Sequence, residues 1–166
     1  MFVIDFEASG LGHNSYTIQV AVCNQSESYS AYIRPEDNWT HWSVDSQEIH
    51  NIPRTLLLDV GLPARQVAKE LNDFVCKEIA YCDGGIYDIG WTNTLYEAAK
   101  IDKSWYYGDV VSYALQGQER SVMNAVGMPW YQYKQQIAAQ LKLKEHDALN
   151  DVKIIRHAAV SLQNNY

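Results

Sequence analysis

The sequence predicts an α/β fold in which helices flank one mixed sheet. Three observations predict it: three strand-like segments open the chain, a helical segment follows them, and strands then alternate with helices. This order of elements is typical of an α/β domain. The 166 residues contain no linker, repeat or low-complexity tract, which predicts a single domain over residues 1–166.

The first three strands are predicted from apolar or alternating runs. Met1–Phe6 is a short apolar run, and Tyr16–Cys23 alternates with β-branched residues. Ser28–Ile33 also alternates until Arg34-Pro35 stops it. Together these segments predict a three-stranded meander.

A helix and a fourth strand are predicted next. The apolar spacing over Leu62–Val75 is helical, and Pro63 is placed in the first turn, where proline is tolerated. Ile79–Cys82 is short and apolar, and it ends at the turn signal Asp83-Gly84-Gly85. We therefore expect a strand over Ile79–Cys82.

The remaining elements alternate. Tyr87–Ala99 predicts a helix and Trp105–Val111 a fifth strand, while two or three helices fill Gln118–Leu141 with a break near Met128-Pro129. A final helix is predicted to open at His146. Its inner face would carry Ala148, Val152, Ile155 and Ala159.

The formal net charge of −7 bears on the partners of the chain. Proteins that grip long nucleic acids usually carry a basic face, and here the basic residues are scattered and are interpreted as solvated surface. The charge argues against tight, extended binding, but not against an enzyme that holds terminal nucleotides through bound cations. The one modest basic group consists of Lys134, Lys142 and Lys144, and Lys153 and Arg156 lie further along the chain.

The location of the protein is predicted from what the sequence contains. No apolar run approaches the ~20 residues needed to cross a bilayer, and Met1 leads directly into a strand without a secretory signal. The three cysteines have no metal-ligand spacing and are interpreted as reduced thiols. We expect a cytoplasmic protein with no membrane association.

Asp5 and Glu7 are the first candidates for chemistry. They lie two residues apart in the first predicted strand, so their side chains point to the same face. Two carboxylates on one side of a buried strand are costly unless a positive charge neutralises them, and a divalent ion is the natural partner. The alternative is an edge strand with a solvated acidic face.

His146 and Asp151 are the second candidates. They lie five residues apart across a predicted helix start, so both can face one site. A histidine beside a metal site can act as a general base. The alternative is a surface helix start, where Asp147 complements the helix dipole; Asp147 is not a catalytic candidate.

These two stretches resemble the first and last motifs of the DnaQ-like, or DEDDh, 3′→5′ exonuclease family. The residues are D-F-E-A-S-G at 5–10 and H-x-A-L-x-D at 146–151. Both motifs occur in the family's order, about 140 residues apart, and the resemblance spans nearly the whole chain. It implies an RNase H-like fold with a mixed five-stranded sheet flanked by helices.

The middle motif of the family is an aspartate that follows an aromatic residue at a helix start. Tyr87-Asp88 matches it, with Trp91 and Leu95 following at helical spacing. The family usually has an asparagine a few residues upstream, where this chain has Asp83. Asp88 is the candidate that the resemblance favours, and Asp83 or Asp109 are the substitutes.

The resemblance assigns roles to five residues. Asp5, Glu7, Asp88 and Asp151 would hold two divalent cations, Mg²⁺ or Mn²⁺, and His146 would deprotonate the attacking water. Four carboxylates and two divalent cations sum to zero charge. Without metal, the carboxylates would raise one another's pKa.

The resemblance also indicates substrate contacts. The turn Ser9-Gly10-Leu11 follows the metal-binding strand and would meet the terminal nucleotide. The segment Glu48–Ile52 resembles the family's I-H-G-I segment, with His50 as the contact and Asn51 in place of the usual glycine. The alternative is a helix end that packs its two isoleucines into the core.

The implied function is a metal-dependent 3′→5′ exonuclease. It would release nucleoside monophosphates from single-stranded or frayed nucleic acid ends, DNA or RNA. Two alternatives stay open: a non-catalytic nucleic-acid-binding or protein-binding member of the same fold, and another RNase H-like metal nuclease such as an endonuclease. Because relatives are often dimers, a homodimer is a further expectation.

Overall fold

A five-stranded mixed sheet forms the centre of the protein. The computed structural model describes residues 1–115 and 122–164. The strands are β1 (Phe2–Ala8), β2 (Thr17–Cys23), β3 (Ser28–Tyr32), β4 (Ile79–Cys82) and β5 (Tyr106–Asp109). Their order is β3-β2-β1-β4-β5; β1, β2 and β3 are antiparallel, and β4 and β5 continue the sheet parallel to β1. The predicted α/β fold with a mixed five-stranded sheet is confirmed.

Helices cover both faces of this sheet. In the described residues they are α1 (Val44–His50), α2 (Arg54–Val60), α3 (Ala64–Val75), α4 (Ile86–Ala99), α5 (Val110–Ala114), α6 (Val122–Val126), α7 (Trp130–Leu141) and α8 (Ala148–Asn164). Within these ranges, no helix is long and apolar enough to cross a membrane. The predicted break near Met128-Pro129 separates α6 from α7, while the start of the predicted Gln118–Leu141 segment lies outside the described residues.

The alternation of β1 decides which side chains face which helices. Ile4 and Phe6 belong to the core that α3 and α4 cover, whereas Val3 belongs to the core that α8 covers. Because side chains alternate along a strand, Asp5 and Glu7 share the α8 face with Val3. The inner face of α8 is buried as predicted, at Ala148, Val152, Ile155 and Ala159.

Several predicted boundaries were wrong, and some short helices were missed. The fifth strand ends at Asp109, because its carboxylate accepts a hydrogen bond from Ser112 N at 2.6 Å and so starts α5. Pro63 precedes α3 as its N-cap rather than lying in its first turn. The final helix starts at Ala148, not His146, and the short helices α1 and α2 were not predicted.

Candidate active site

Strand β1 supplies the first two carboxylates. The strand is central in the sheet, with β2 on one side and β4 on the other. Asp5 pairs in register with Ala21 and Glu7 with Gln19, and the register shifts between Glu7 and Ala8. Such a bulge re-aims side chains at the end of a strand. Both carboxylates are partly buried against the start of α8.

Asp88 is the third carboxylate, in the first turn of α4, and only 2% of its surface is exposed. The β4–α4 turn holds its side chain: Gly84 N donates to Asp88 Oδ2 at 3.0 Å. The thiol of Cys82 also donates to the carboxylate. The turn can approach so closely because residue 84 is glycine; a Cβ there would lie 2.5 Å from both carboxylate oxygens.

The segment before α8 supplies the last two candidates. His146 has a left-handed backbone (φ 64°), and its N–H donates to Asp151 Oδ2 at 2.8 Å. Asp147 Oδ1 accepts from Asn150 N at 3.1 Å and its Oδ2 from Gln19 Nε2 at 3.2 Å. Asp147 therefore caps the helix, while Asp151 fixes the backbone that carries the exposed His146 imidazole.

The structure brings Glu7, His146 and Asp151 into one group, and Asp5 and Asp88 lie close enough for charges to act between them and this group. One ligand atom each of Glu7, His146 and Asp151 lies within 4.8 Å of the others, a spacing suited to a metal ion. Burial, and then the charges of Asp88, Asp151 and Glu7, raise the pKa of Asp5 well above its ordinary value. The substitute Asp109 instead caps α5.

The other three carboxyl groups are shifted in the same direction. Burial, followed by the charge of Asp151, raises the pKa of Glu7 to about 8. Burial also raises the pKa of Asp88 to about 6, and that of Asp151 to about 6. Burial and mutual repulsion therefore make full ionisation of the cluster unfavourable in the protein alone.

Asp83 is bound to a cation of the protein rather than to the cluster. Its Oδ2 accepts from Lys134 Nζ at 2.5 Å and from Trp130 Nε1 at 2.7 Å, both on α7. The side chains of this ion pair are mostly buried, and Lys134 lies close enough for its charge to act on Asp5 and Asp151. This contact explains the aspartate at position 83, because an asparagine there would leave the lysine without an ionic partner.

A cavity of about 210 Å³ adjoins Glu7 and is lined by the two candidate histidines, His50 and His146. His50 is buried, and its Nδ1 accepts from Ile52 N at 3.0 Å, so the ring proton lies on Nε2. Nε2 is buried without a hydrogen-bond partner among the described residues. Burial, and then the charge of His146, lowers the pKa of His50, which favours this neutral donor form. The lining residues are Glu7, Ala8, Gly10, Leu11, Ser46, Ile49, His50, Trp91 and His146.

The other predicted substrate contacts differ in accessibility. Ser9 is buried; its hydroxyl accepts from Tyr16 N at 3.1 Å and lies 3.1 Å from His41 Nδ1, so this side chain fixes the turn. Gly10 lines the cavity at φ 147°, where a Cβ would meet His41 at 2.6 Å. Leu11 lines it too and is 67% exposed.

The segment around His50 departs from the family pattern for a visible reason. Asn51 ends α1 in the left-handed conformation (φ 58°, ψ 27°), which glycine favours and asparagine tolerates. The predicted alternative, in which both isoleucines pack into the core, was half wrong. Ile52 is buried, but Ile49 is 53% exposed at the cavity.

Comparisons with known proteins show which class of fold the chain has. No protein-family model matches the sequence, and no curated protein sequence matches it significantly. Solved structures do match, and those we compare are exonucleases; their likeness confirms the predicted RNase H-like fold. At identities of 14–18%, the likeness shows the fold alone.

Three of these structures illustrate the match. A zinc-bound complex of Exonuclease I from E. coli with single-stranded DNA has a TM-score of 0.69 and 14% identity, over 98% of this chain and 39% of that one. Exonuclease I from Methylocaldum szegediense has a TM-score of 0.69 and 16% identity, over 96% of this chain and 39% of that one. A 3′-exonuclease that recognises a histone mRNA stem-loop has a TM-score of 0.69 and 18% identity, over 98% of this chain and 63% of that one. The chain thus spans about two fifths of the Exonuclease I chains.

Gly84→Ala should displace the Asp88 carboxylate. The new Cβ would overlap both of its oxygens, so we expect metal affinity to fall ~10–100-fold, as for other losses of support to a ligand. Isothermal titration with Mn²⁺ measures it. Gly90→Ala is the matched control, because no atom lies within 4 Å of its added Cβ. The control should bind Mn²⁺ normally and gain up to ~1 kcal/mol of stability; equal affinities for both variants would contradict the assignment.

Without divalent ions, the stability of the protein should fall as pH rises from about 4 to about 8. The carboxyl pKa values of Glu7, Asp88 and Asp151 are raised in the folded state, so folding takes up protons in this window and stability is greatest at its acid end. Each group contributes up to ~1.4 kcal/mol per pH unit while it titrates. Urea unfolding in EDTA measures the slope. Asp88→Asn removes one of the titrating groups, so the free energy of unfolding should depend less steeply on pH in this variant. A free energy of unfolding that rises with pH in the parent would refute the expectation.

Proposed function

We propose that this chain is a divalent-metal-dependent 3′→5′ exonuclease that releases nucleoside monophosphates from single-stranded or frayed nucleic acid ends. One observation carries the proposal. Carboxylates from β1 and α8 meet one another and His146 beside a cavity, and the Asp88 carboxylate of α4 lies close enough for its charge to act on Asp5, although these residues are separated by up to about 140 positions in sequence. A protein that only binds a partner has no need for this costly convergence of acids.

The residues fit two divalent cations. Asp5, Glu7, Asp88 and Asp151 offer oxygen ligands, and bound cations would offset the burial and the mutual repulsion that raise their pKa values. The four charges equal those of two Mg²⁺ or Mn²⁺ ions. When bound, such ions stabilise the charge on the entering and leaving oxygens of a phosphodiester.

His146 is the base in this proposal. Its imidazole is exposed, while its backbone is held to Asp151, so the ring can receive a proton and pass it to solvent. The water oxygen forms a bond to the terminal phosphorus as His146 takes the proton. The bond from phosphorus to the 3′ oxygen of the preceding nucleotide breaks, and that oxygen gains a proton from solvent. A nucleoside monophosphate leaves.

The cavity beside Glu7 is the proposed place for the terminal nucleotide. Leu11 and Ile49 offer exposed apolar surface for a base or sugar, and the Nε2–H of His50 offers a donor to an oxygen of the nucleotide. A volume of about 210 Å³ suits one terminal residue of a strand rather than a duplex. This supports action at single-stranded or frayed ends.

Matched DNA and RNA oligonucleotides labelled at the 5′ end test the function. With Mg²⁺ or Mn²⁺ we expect a ladder of products that shorten by one nucleotide at a time, and no products in excess EDTA. An internal cut would instead favour an endonuclease, and full cleavage in EDTA would remove the role of metal. Asp59→Asn, an exposed acid on α2, is the control for charge and should cut like the parent.

A further inference from the structure

A second pocket lies beside α8, away from the carboxylate cluster. It has a volume of about 370 Å³ and lies between the β2–β3 turn, the end of α7 and the middle of α8. Lys153, Arg156 and His157 line it from α8, and Asn24 and Ser28 line it from the turn. Basic residues are therefore concentrated here in a chain whose formal charge is −7.

Arg156 lines this pocket and is half-buried. Its Nε is buried and has no hydrogen-bond partner in the described part of the chain. Within residues 1–115 and 122–164, neither Arg156 nor Lys153 forms an ion pair. Arg156 is half-buried, and a partly desolvated guanidinium group that forms no ion pair favours a ligand with negative charge.

The β2–β3 turn offers further donors. Asn24 Oδ1 accepts from Ser26 N at 2.8 Å and from Glu27 N at 2.9 Å. Because the oxygen of this amide caps the turn, its NH₂ group is the part left for a ligand. Ser28 adds a hydroxyl group. Guanidinium, ammonium, amide and hydroxyl donors together match the oxygens of a phosphate.

A short segment joins this pocket to the carboxylate cluster. Leu141 and Leu143 line the pocket, and His146 lies at the cluster. Positions 143 and 146 are three residues apart in sequence, so Leu143, at the edge of the pocket, lies within about 10 Å of His146. The β2–β3 turn is farther away, because Asn24 follows five residues after Gln19, the strand partner of Glu7, which corresponds to ~17 Å of extended strand. Lys142 and Lys144 are exposed on this segment, and Asn150 Nδ2 donates to the carbonyl oxygen at position 144 at 3.0 Å, which holds the segment to α8.

We propose that the pocket binds a backbone phosphate of the nucleic acid strand about three to five nucleotides upstream of the bond that is cut. The spacing follows from the distances of ~10 Å to the near edge of the pocket and ~17 Å to the β2–β3 turn, at ~3.4 Å per nucleotide of a stacked strand. This inference rests on the proposed function, because it assumes that the 3′ end lies at the carboxylate cluster. It gives a function to the basic residues that the sequence alone left as solvated surface.

Substrate length provides the first test. Arg156→Gln and Lys153→Gln should each raise KM for a ten-nucleotide strand ~10-fold, since a hydrogen bond to a charged group is lost, while kcat stays near that of the parent. KM for a dinucleotide should not change, because a dinucleotide cannot reach the pocket. Lys69→Gln is the control, because Lys69 is an exposed residue of α3, which lies on the other face of the sheet. Equal effects on both lengths would overturn the proposal.

Direct binding separates this proposal from the activity. Fluorescence anisotropy of a labelled ten-nucleotide strand at several salt concentrations gives a slope of about 0.7 for each neutralised phosphate. Arg156→Gln should lower the slope by about that amount, whether or not the parent cleaves the strand. Unchanged affinity and slope would refute the pocket even if the exonuclease activity is found.

A gain of affinity provides a test that misfolding cannot imitate. Glu27 is the carboxylate among the lining residues, and it is exposed. Glu27→Gln should tighten binding of the ten-nucleotide strand about two- to five-fold, as expected when a like charge is removed at a surface. Weaker binding by this variant would contradict a phosphate site. A second result would also contradict it: inorganic phosphate raises the melting temperature of the protein, while KM does not depend on the length of the strand. The pocket would then bind free phosphate rather than the nucleic acid backbone.

Discussion

Saturation with Mg²⁺ or Mn²⁺ should raise the melting temperature of the protein by about 5–10 °C. Metal at 100 times its Kd adds ~2.7 kcal/mol to the free energy of unfolding, and 1 kcal/mol shifts the melting temperature of a chain this size by ~2–4 °C. The physical reason is the acidic cluster, in which burial and mutual repulsion raise the pKa values of Asp5 and Glu7. Differential scanning calorimetry with and without metal measures the shift.

Asp5→Asn should abolish most of this shift and change the metal-free protein in the opposite direction. Asp5 interacts with the charges of the other three carboxylates, so its neutralisation removes repulsion and should raise the melting temperature in EDTA. Asp59→Asn makes the same chemical change on the exposed end of α2 and should respond to metal like the parent. A parent that melts at one temperature with and without metal would show that the cluster does not bind these ions.

The sequence predicted those parts of the site that follow from local periodicity. The placement of Asp5 and Glu7 on one face needs only the alternation of a strand, and the buried stripe of α8 needs only helical spacing. The proximity of the β1 carboxylates to the start of α8 could not be predicted from local periodicity. It became predictable through the resemblance of the two motifs, because no local pattern connects positions 7 and 151.

The parts that were not predicted depend on contacts between distant segments. Lys134 was expected on the surface, but α7 places it against Asp83, about 50 residues earlier in the chain. Helix α1 was missed because it has seven residues and exposes Val44 and Ile49, so an apolar stripe is absent from its sequence. The left-handed backbone of His146 also had no local signal, since the Asp151 carboxylate that holds it follows five residues later.

These same contacts link the fold to the proposed chemistry. Asp151 has two tasks: one carboxylate oxygen accepts from the His146 backbone, and the side chain belongs to the group of potential metal ligands. A change at Asp151 would therefore disturb both the metal and the base. His146 offers the cleaner experiment, because its side chain can be removed while the backbone hydrogen bond stays.

His146→Ala should lower kcat by ~10²–10⁴-fold, the usual contribution of a general base. Because the exposed imidazole makes few packing contacts, the melting temperature of the variant in EDTA should stay near that of the parent. Single-turnover cleavage of a 5′-labelled strand measures the rate.

The metal response of the same variant decides between two roles for His146. The imidazole lies within 4.8 Å of ligand atoms of Glu7 and Asp151, so it is placed either to accept a proton beside the metal site or to bind the metal itself. As a base, its loss leaves the metal-induced shift in melting temperature intact while the rate falls. If the shift disappears with the rate, His146 is a ligand and another group takes the proton. A variant as fast as the parent excludes both roles, and the cluster would then act through its carboxylates alone.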